Sequence, residues 1–150
     1  MKITIKFIIF LAFMFVYGCQ NESKLIIKHH KSHEQTRQNV PFSDAVQVDN
    51  LYFLTGQIGK DHASGKLVEG GIEAETKQTI LNIEAVLKHH NLRLNDVVKC
   101  TVILADIDDF SKMNAIYRSF FKENLPARTT FAANLVAGAK IEIEVVAARK

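Results

Sequence analysis

The stretch of sequence that decides the fold is residues 72–90, IEAETKQTILNIEAVLKHH. Its core-type side chains recur at steps of three and four: Thr76, Ile80, Ile83 and Leu87. That spacing places them on one face of an α-helix. Acidic residues at the start and basic residues at the end complement the helix dipole, and Asn91 is a suitable cap. The sequence therefore predicts one long amphipathic helix in the middle of the chain.

Strand-like runs and a second helix lie on either side of this segment. Before it, residues 46–48 and 51–55 flank Asp49-Asn50 as in a β-hairpin, the chain leaves the second strand at Gly56, and residues 60–71 have the composition of a loop. The elements expected after it are a strand at 97–104, a helix from Asp108 or Asp109 to Phe121, and strands at 129–135 and 141–148. This order predicts an α+β fold, with one mainly antiparallel sheet and two helices packed on one face. The opposite face carries apolar residues, so self-association is expected.

Residues 1–18 have the pattern of an export signal. Lys2 and Lys6 precede an apolar run over residues 7–17, which is too short to cross a bilayer as a permanent helix. Gly18-Cys19 directly after this run resembles a bacterial lipobox, and we expect Cys19 to carry lipid. The alternative is an ordinary signal peptide cut elsewhere, with Cys19 incidental. The first interpretation places the protein on the bacterial cell envelope, lipid-anchored and facing the periplasm or the cell surface.

The mature chain is expected to consist of a tether and one domain. Residues 19–38 are mostly polar and predict a tether, with a possible edge strand at 24–28, and residues 39–150 predict the domain. Loss of Lys2 and Lys6 leaves 17 of the 19 basic residues against 16 acidic ones, a net charge of +1. A nearly neutral body offers no electrostatic reason to bind nucleic acid, so no such partner is expected.

Several side chains have the chemistry of a small-molecule site. Arg128 follows Pro126-Ala127 at the start of a strand, where its planar fork suits a carboxylate. Glu142 and Glu144 alternate with apolar residues and so share one face, where a carboxylate orients water or acts as a general base. Each has an ordinary alternative, since Arg128 alone is typical of a surface salt bridge and the two glutamates are typical of a solvated strand face.

Other polar residues also have the chemistry of a small-molecule site. Thr55 and Gly56 offer a hydroxyl and backbone N–H groups where a strand ends, and Asn114 offers an amide on a helix. Ordinary turn and capping chemistry is the alternative for both. Cys100 lies inside a strand-like run and is interpreted as a buried, inert thiol. His30 and His33 lack a further ligand at a suitable spacing, so no metal site is predicted.

Together these segments resemble the RidA/YjgF family of reactive-intermediate deaminases. The matching features, in order, are TGQI at 55–58, QTILNI at 78–83, VKCTV at 98–102, DF at 109–110 with NAIY at 114–117, PAR at 126–128 and IEIE at 141–144. The resemblance covers residues 24–150. It implies a chorismate-mutase-like fold and a homotrimer with clefts between its subunits.

The resemblance also implies an activity and site residues. Active members hydrolyse enamines and imines such as 2-aminoacrylate to 2-keto acids and ammonia, without a metal or an organic cofactor. By analogy, Arg128 binds the carboxylate of an imino acid and Glu142 positions the attacking water. Thr55, Gly56, Asn114, Phe42 and Thr130 are the further substrate-binding positions implied by the family.

Two of those positions depart from the family pattern. The usual Gly-Pro-Tyr-Ser-Gln motif reads Val40-Pro41-Phe42-Ser43-Asp44 here, so the tyrosine hydroxyl is missing at Phe42. Thr130 stands where many members have cysteine. These changes keep a second interpretation open, in which the same cleft binds a small carboxylate or a partner without catalysis. Chaperone-like and ribonuclease roles are also ascribed to relatives, but nothing in this sequence favours either one.

Overall fold

The structure is a computed structural model that describes residues 24–150. Its main sheet has six strands: β1 (Ile27–His30), β2 (Ala45–Val48), β3 (Leu51–Ile58), β8 (Ile141–Ala148), β6 (Val97–Leu104) and β7 (Ala127–Ala132), in that spatial order. All neighbouring strands are antiparallel except β6 and β7, which are parallel. Two short strands, β4 (Lys60–Asp61) and β5 (Lys66–Leu67), form a separate hairpin. The predicted mainly antiparallel α+β fold is confirmed.

Both helices, α1 (Gly71–His89) and α2 (Phe110–Phe120), cover the same face of the sheet. The alternation along β8 shows how the core is made. Ile141, Ile143, Val145 and Ala147 are buried beneath the helices, whereas Glu142 and Glu144 point to the opposite face. That opposite face carries exposed apolar side chains in three strands, namely Phe53, Val98 and Phe131. The sheet therefore has one buried face and one face that is partly apolar and uncovered in a single chain.

The long helix predicted at 72–90 is confirmed, and so is its cap. After His89 the chain turns through Asn91, which has a left-handed φ of 57°. The amide of Leu92 donates to the carbonyl of Leu87, and that of Asn91 donates to the carbonyl of Lys88. These two hydrogen bonds satisfy carbonyls that the helix end leaves free, as in a Schellman motif.

Three predicted boundaries differ from the structure. β3 continues to Ile58 through an irregularity between Leu54 and Gln57, because β8 remains available to pair with it as far as Glu142. The predicted loop at 60–71 contains the β4–β5 hairpin. β7 begins at Ala127 and ends at Ala132, since its partner β6 ends at Leu104, opposite Ala132.

The amino-terminal predictions fall partly outside the structure. Residues 1–18 and Cys19 lie outside the described residues. The edge strand forms at Ile27–His30 instead of 24–28, because all four of its residues pair with β2 in the register that aligns His30 with Ala45. Part of the segment predicted as tether also contacts the domain, since Arg37 forms an ion pair with buried Asp44. Within residues 24–150, no helix is long and apolar enough to cross a membrane.

Candidate active site

A cavity of about 630 Å³ opens beside the junction of β3 and β8. Its wall combines apolar, hydroxyl and charged side chains, including Arg37, Phe42, Thr55, Gly56, Lys60 and Glu142. The segment between β1 and β2 supplies one side of the wall, and the β4–β5 hairpin supplies another. A concave site with apolar walls and a few converging polar groups is the usual form of a small-molecule site.

Glu142 is the acidic residue of this wall. It lies opposite Ile58 in the β3–β8 pairing and points away from the helices. Burial raises its pKa above the ordinary value, and the nearby charge of Glu144 raises that pKa further. A carboxylate with a raised pKa is a stronger base, so Glu142 is suited to take a proton from a bound water.

Gly56 allows this carboxylate to reach the cavity. A Cβ atom at position 56 would overlap Oε1 of Glu142, so any other residue there would displace the carboxylate. The requirement is for space, because the backbone of Gly56 is outside the left-handed region. Thr55 and Phe42 complete this part of the wall, and Phe42 is nearly half exposed.

A buried ion pair supports the same wall. Nη2 of Arg37 lies 2.9 Å from Oδ1 of Asp44, whose side chain is 2% exposed. Nη1 of Arg37 donates a hydrogen bond of 3.3 Å to Oε1 of Gln57. Since Gln57 lies on β3 next to Gly56, this contact joins the segment before β2 to the strand that faces Glu142.

Arg128 lies in a different part of the chain. It is the second residue of β7, aligned with buried Cys100 of β6, and therefore points to the helix-covered side of the sheet. Its guanidinium carbon lies 4.6 Å from the ring centre of Tyr117 and 5.7 Å from that of Phe110, both on α2. Cation–π contacts of this kind hold the guanidinium in a defined orientation.

Two other predicted residues accompany Arg128. Asn114 lies on α2, four residues after Phe110 and three before Tyr117, so it shares their helix face. Thr130 follows two residues after Arg128 on β7 and points to the same side. Its Oγ1 is buried and has no hydrogen-bond partner among residues 24–150. The two side chains extend the polar surface around the arginine.

The structure therefore separates the predicted site residues into two groups. The first is the glutamate group, composed of Phe42, Thr55, Gly56 and Glu142 around the cavity. The second is the arginine group, composed of Asn114, Arg128 and Thr130 around the α2–β7 contact. A single chain does not bring them together, because Arg128 and Glu142 point to opposite faces of one sheet.

Sequence reasoning missed several residues of the cavity wall. Arg37 fell within the predicted tether, and its only sequence signal is Asp44, a carboxylate that needs a cation once it is buried. Lys60 and His62 fell within the predicted loop. Val136 belongs to a helical turn before β8 that brings it back to the cavity, and no local pattern indicates that contact.

The histidines do not form a metal site with neighbouring acidic or thiol groups of the described residues. Within residues 24–150, no group of three or more His, Cys, Asp or Glu side chains is placed to hold a metal ion. Cys100, predicted to be an inert buried thiol, is free and fully buried, and burial raises its pKa.

Fold and site together define a small α+β domain with a carboxylate in a cavity on one face of its sheet and an arginine on the other face. A family model described as Endoribonuclease L-PSP matches residues 32–149, and the chain belongs to this family, also known as RidA/YjgF. The human protein named 2-iminobutanoate/2-iminopropanoate deaminase is 48% identical over 108 residues, which are 71% of this chain and 79% of that protein.

Solved structures with the same fold are similar to this chain. A Rid-family protein of unknown function from Yersinia pestis has a TM-score of 0.77 and 32% identity, covering 83% of this chain and 100% of that one. The E. coli protein TdcF, solved with bound serine, has a TM-score of 0.73 and 26% identity, covering 82% and 100%. These similarities agree with the fold described above.

Proposed function

We propose that the protein hydrolyses 2-imino acids and their enamine forms, such as 2-aminoacrylate, to 2-keto acids and ammonia. The observation that carries the proposal is Glu142, a partly buried carboxylate of raised pKa held against Gly56 in the wall of a cavity. The human relative is named for deamination of such imines, which supports the proposal. So does the serine-bound relative, because serine also carries a carboxylate beside a nitrogen-bearing carbon.

The proposed reaction needs few groups. A protonated imine carbon is already electrophilic, so catalysis consists mainly of holding the substrate and placing a water molecule. Arg128 binds the substrate carboxylate through two parallel hydrogen bonds. Glu142 accepts a proton from the water as its oxygen adds to C2. That proton then passes to the nitrogen of the tetrahedral intermediate, the C2–N bond breaks, and the C2 hydroxyl gives its own proton to Glu142 as it becomes the keto oxygen, so that ammonia and the 2-keto acid are released.

Because Arg128 and Glu142 point to opposite faces, we propose that each site combines the arginine group of one chain with the glutamate group of another. The exposed apolar residues on the face of Glu142 support burial against a second copy. The family resemblance implies a closed trimer. Light scattering coupled to gel filtration is expected to give three times the mass of the mature chain, and a monomeric mass at micromolar concentration would contradict the proposal.

Mixed assemblies test the shared site directly. Arg128→Ala and Glu142→Gln chains, each inactive alone, are co-expressed with different affinity tags and purified through both. In a closed trimer that contains both chains, one of the three sites pairs an intact Arg128 with an intact Glu142, so activity is expected to return to about one third of wild type. If assemblies shown to contain both chains have no activity, Arg128 and Glu142 do not form one shared catalytic site.

The activity itself is tested with 2-aminoacrylate generated enzymatically in the presence of semicarbazide, which traps the imine. Faster hydrolysis by the domain lowers the yield of semicarbazone. Wild type is expected to compete strongly, Arg128→Ala weakly, and Arg118→Ala, a matched change of an exposed arginine on α2, like wild type. If wild type is no faster than Arg128→Ala, the deaminase proposal is wrong, and the non-catalytic carboxylate-binding interpretation suggested by Phe42 replaces it.

We also propose that Cys19 carries a lipid that holds this domain on the bacterial envelope. The support is the apolar run at 7–17 followed at once by Gly18-Cys19. An alkyne-labelled fatty acid supplied to expressing cells is expected to label the wild-type protein and not Cys19→Ser, and only the wild type should remain with the membrane fraction. Equal labelling, or release of both into the soluble fraction, would contradict the anchor.

A further inference from the structure

Within the part of the chain that the structure describes, three basic side chains line the cavity, and two of them are paired with acids. Arg37 forms its ion pair with buried Asp44 at 2.9 Å, and Nδ1 of His62 lies 2.7 Å from Oε2 of Glu34. Neither acid belongs to the cavity wall. These two pairs therefore stiffen the wall and leave little net charge for a ligand to meet.

Lys60 differs from Arg37 and His62 in the contacts of its charged group. Within residues 24–150, no acidic side chain lies within 4.0 Å of its amine, and no side-chain hydrogen bond holds it. The backbone carbonyl of Lys60 accepts a hydrogen bond from the amide of Asn82 on α1, and the residue pairs with Leu67 in the β4–β5 hairpin, so its backbone position is fixed. The structure thus holds the backbone of Lys60 in place while its charged end stays free.

The position of Lys60 relates it to Glu142. Ile58 lies opposite Glu142, and Lys60 follows it after a bend at Gly59 and lines the same cavity as Glu142. Among residues 24–150, no ion pair within 4.0 Å joins the amine of Lys60 to Glu142. Lys60 is therefore a separate cationic point in the same cavity.

The size of the cavity also favours a ligand longer than a small aliphatic imino acid. At about 630 Å³ it lies within the range of roughly 300–1,000 Å³ that holds ligands much larger than a three- or four-carbon acid. In the proposed reaction, Arg128 takes the carboxylate next to the imine carbon. A cation of the same wall that no acidic side chain among residues 24–150 neutralises then has no role toward a substrate with an aliphatic side chain.

We propose that Lys60 binds a second carboxylate, so that the preferred substrates are imines of dicarboxylic amino acids. This inference rests on the proposed function, because it assigns the distal end of the same substrate. The chemistry is unchanged: water adds to C2, the C2–N bond breaks, and a 2-oxo dicarboxylate and ammonia are released. The distal carboxylate takes no part in bond making and contributes through its attraction to the amine.

Binding of the products tests this assignment independently of turnover. Titration calorimetry compares 2-oxoglutarate with 2-oxobutanoate, which share the 2-keto acid head and differ in the distal carboxylate. Wild type is expected to bind 2-oxoglutarate about two- to fivefold more tightly, the upper part of the range for an exposed ion pair. Lys60→Met should bring that ratio close to one, and Lys60→Arg should retain it.

Lys66→Met is the matched control. Lys66 lies on the facing strand of the same hairpin, is exposed and is absent from the cavity wall, so the same loss of charge there should leave the ratio unchanged. A ratio near one in the wild type, or an equal ratio in wild type and Lys60→Met, overturns the inference. Equal loss of the ratio in Lys60→Met and Lys66→Met also overturns it, since the preference would then come from overall charge.

The semicarbazide assay with imines formed from glutamate and from 2-aminobutyrate separates this inference from the proposed function. Hydrolysis of both imines at the same efficiency supports the deaminase and overturns the role of Lys60. Hydrolysis of neither imine, together with a 2-oxoglutarate preference that depends on Lys60, contradicts the deaminase and supports Lys60 as a carboxylate site.

Discussion

Arg128 and Glu142 lie on opposite faces of one β-sheet. Arg128 aligns with buried Cys100 and stacks 4.6 Å from the ring centre of Tyr117 beneath α2, whereas Glu142 alternates with the buried residues of β8 and lines a cavity on the far side. Sheet geometry prevents either residue from crossing to the other face without a change of register. Any chemistry that uses both residues consequently depends on contact between chains.

The stacking of Arg128 on Tyr117 predicts a positioning role for the aromatic ring. Tyr117→Phe keeps the ring, whereas Tyr117→Leu removes it and the cation–π contact, worth about 0.5–2 kcal/mol. We expect Tyr117→Leu to raise KM roughly threefold to thirtyfold, with a smaller change in kcat, and Tyr117→Phe to stay near wild type. Steady-state kinetics on an imino acid measures both. Equal values for the two variants would show that the ring has no such role.

Protonation of Glu142 is expected to lower kcat/KM at acidic pH, which gives the pH profile a limb on its acid side. As a base it works when deprotonated, so kcat/KM should rise with pH through its pKa, which burial and Glu144 place above the ordinary 4.5. Glu144→Gln removes a charge that raises this pKa and should move the limb to lower pH. Glu123→Gln, an exposed change of the same kind, should leave the limb in place. A profile of kcat/KM from pH 4 to 8 measures it, and an unmoved limb in Glu144→Gln would contradict the assignment.

The overlap between a Cβ at position 56 and the Glu142 carboxylate predicts a strong effect of Gly56→Ala. A displacement of about 1 Å in a catalytic group costs on the order of a hundredfold in rate, and kcat should fall accordingly. A double-mutant cycle on stability supplies the control. Adding Glu142→Ala removes the overlapping atoms, so Gly56→Ala should destabilise that background less than wild type. Additive effects in urea unfolding would rule out the contact.

The Arg37–Asp44 pair predicts that the domain begins before residue 39. Arg37→Met leaves a carboxylate that is 2% exposed without its cation, which should destabilise the fold by about 3 kcal/mol. Urea unfolding measures this loss, and a chain beginning at residue 39 should lose at least as much stability. Lys31→Met, an exposed change in the same segment, is the control. If Arg37→Met is as stable as wild type, the ion pair has no structural role.

His90 predicts that stability depends on pH. It lies among His30, His33, His89 and Arg149, and burial together with these charges lowers its pKa from 6.5 to about 4. The unfolded chain therefore binds a proton between these values that the folded chain does not. Stability should be complete above pH 6.5 and fall as pH decreases towards 4.

Unfolding free energies measured at pH 8, 6, 5 and 4 test this dependence. His90→Gln should flatten the decline, whereas His29→Gln, an exposed histidine of β1, should leave it unchanged. Identical declines in wild type and His90→Gln would assign the effect to other groups.

The elements of the fold were predictable because their signals are local. The helix over residues 72–90, its cap at Asn91, the strand at Val97–Leu104 and the strand at Ile141–Ala148 follow from spacing, turn residues and caps within a few positions. Boundaries were less well predicted where a partner strand decides them. The end of β7 at Ala132 depends on where β6 stops, some 30 positions earlier in the chain.

The site residues divide in the same way into those with a local sequence signal and those whose role depends on distant segments. Arg128 and Glu142 were recognised as candidates because each stands in a short motif of the right chemistry. Arg37 and Lys60 were not, because their relations to Asp44 and to Glu142 arise from distant segments that fold onto one wall.

By itself, the sequence determined which segments become helices and strands and which charged side chains each of them offers, since both follow from neighbouring residues. Tertiary structure alone decided that Arg128 and Glu142 face opposite ways, that Gly56 makes room for a carboxylate and that Lys60 has no acidic partner among residues 24–150. The physical reason is that the pairing register of a strand sets the face of the sheet to which each of its side chains points. An ion pair or a close approach likewise depends on which distant segment fills the neighbouring space.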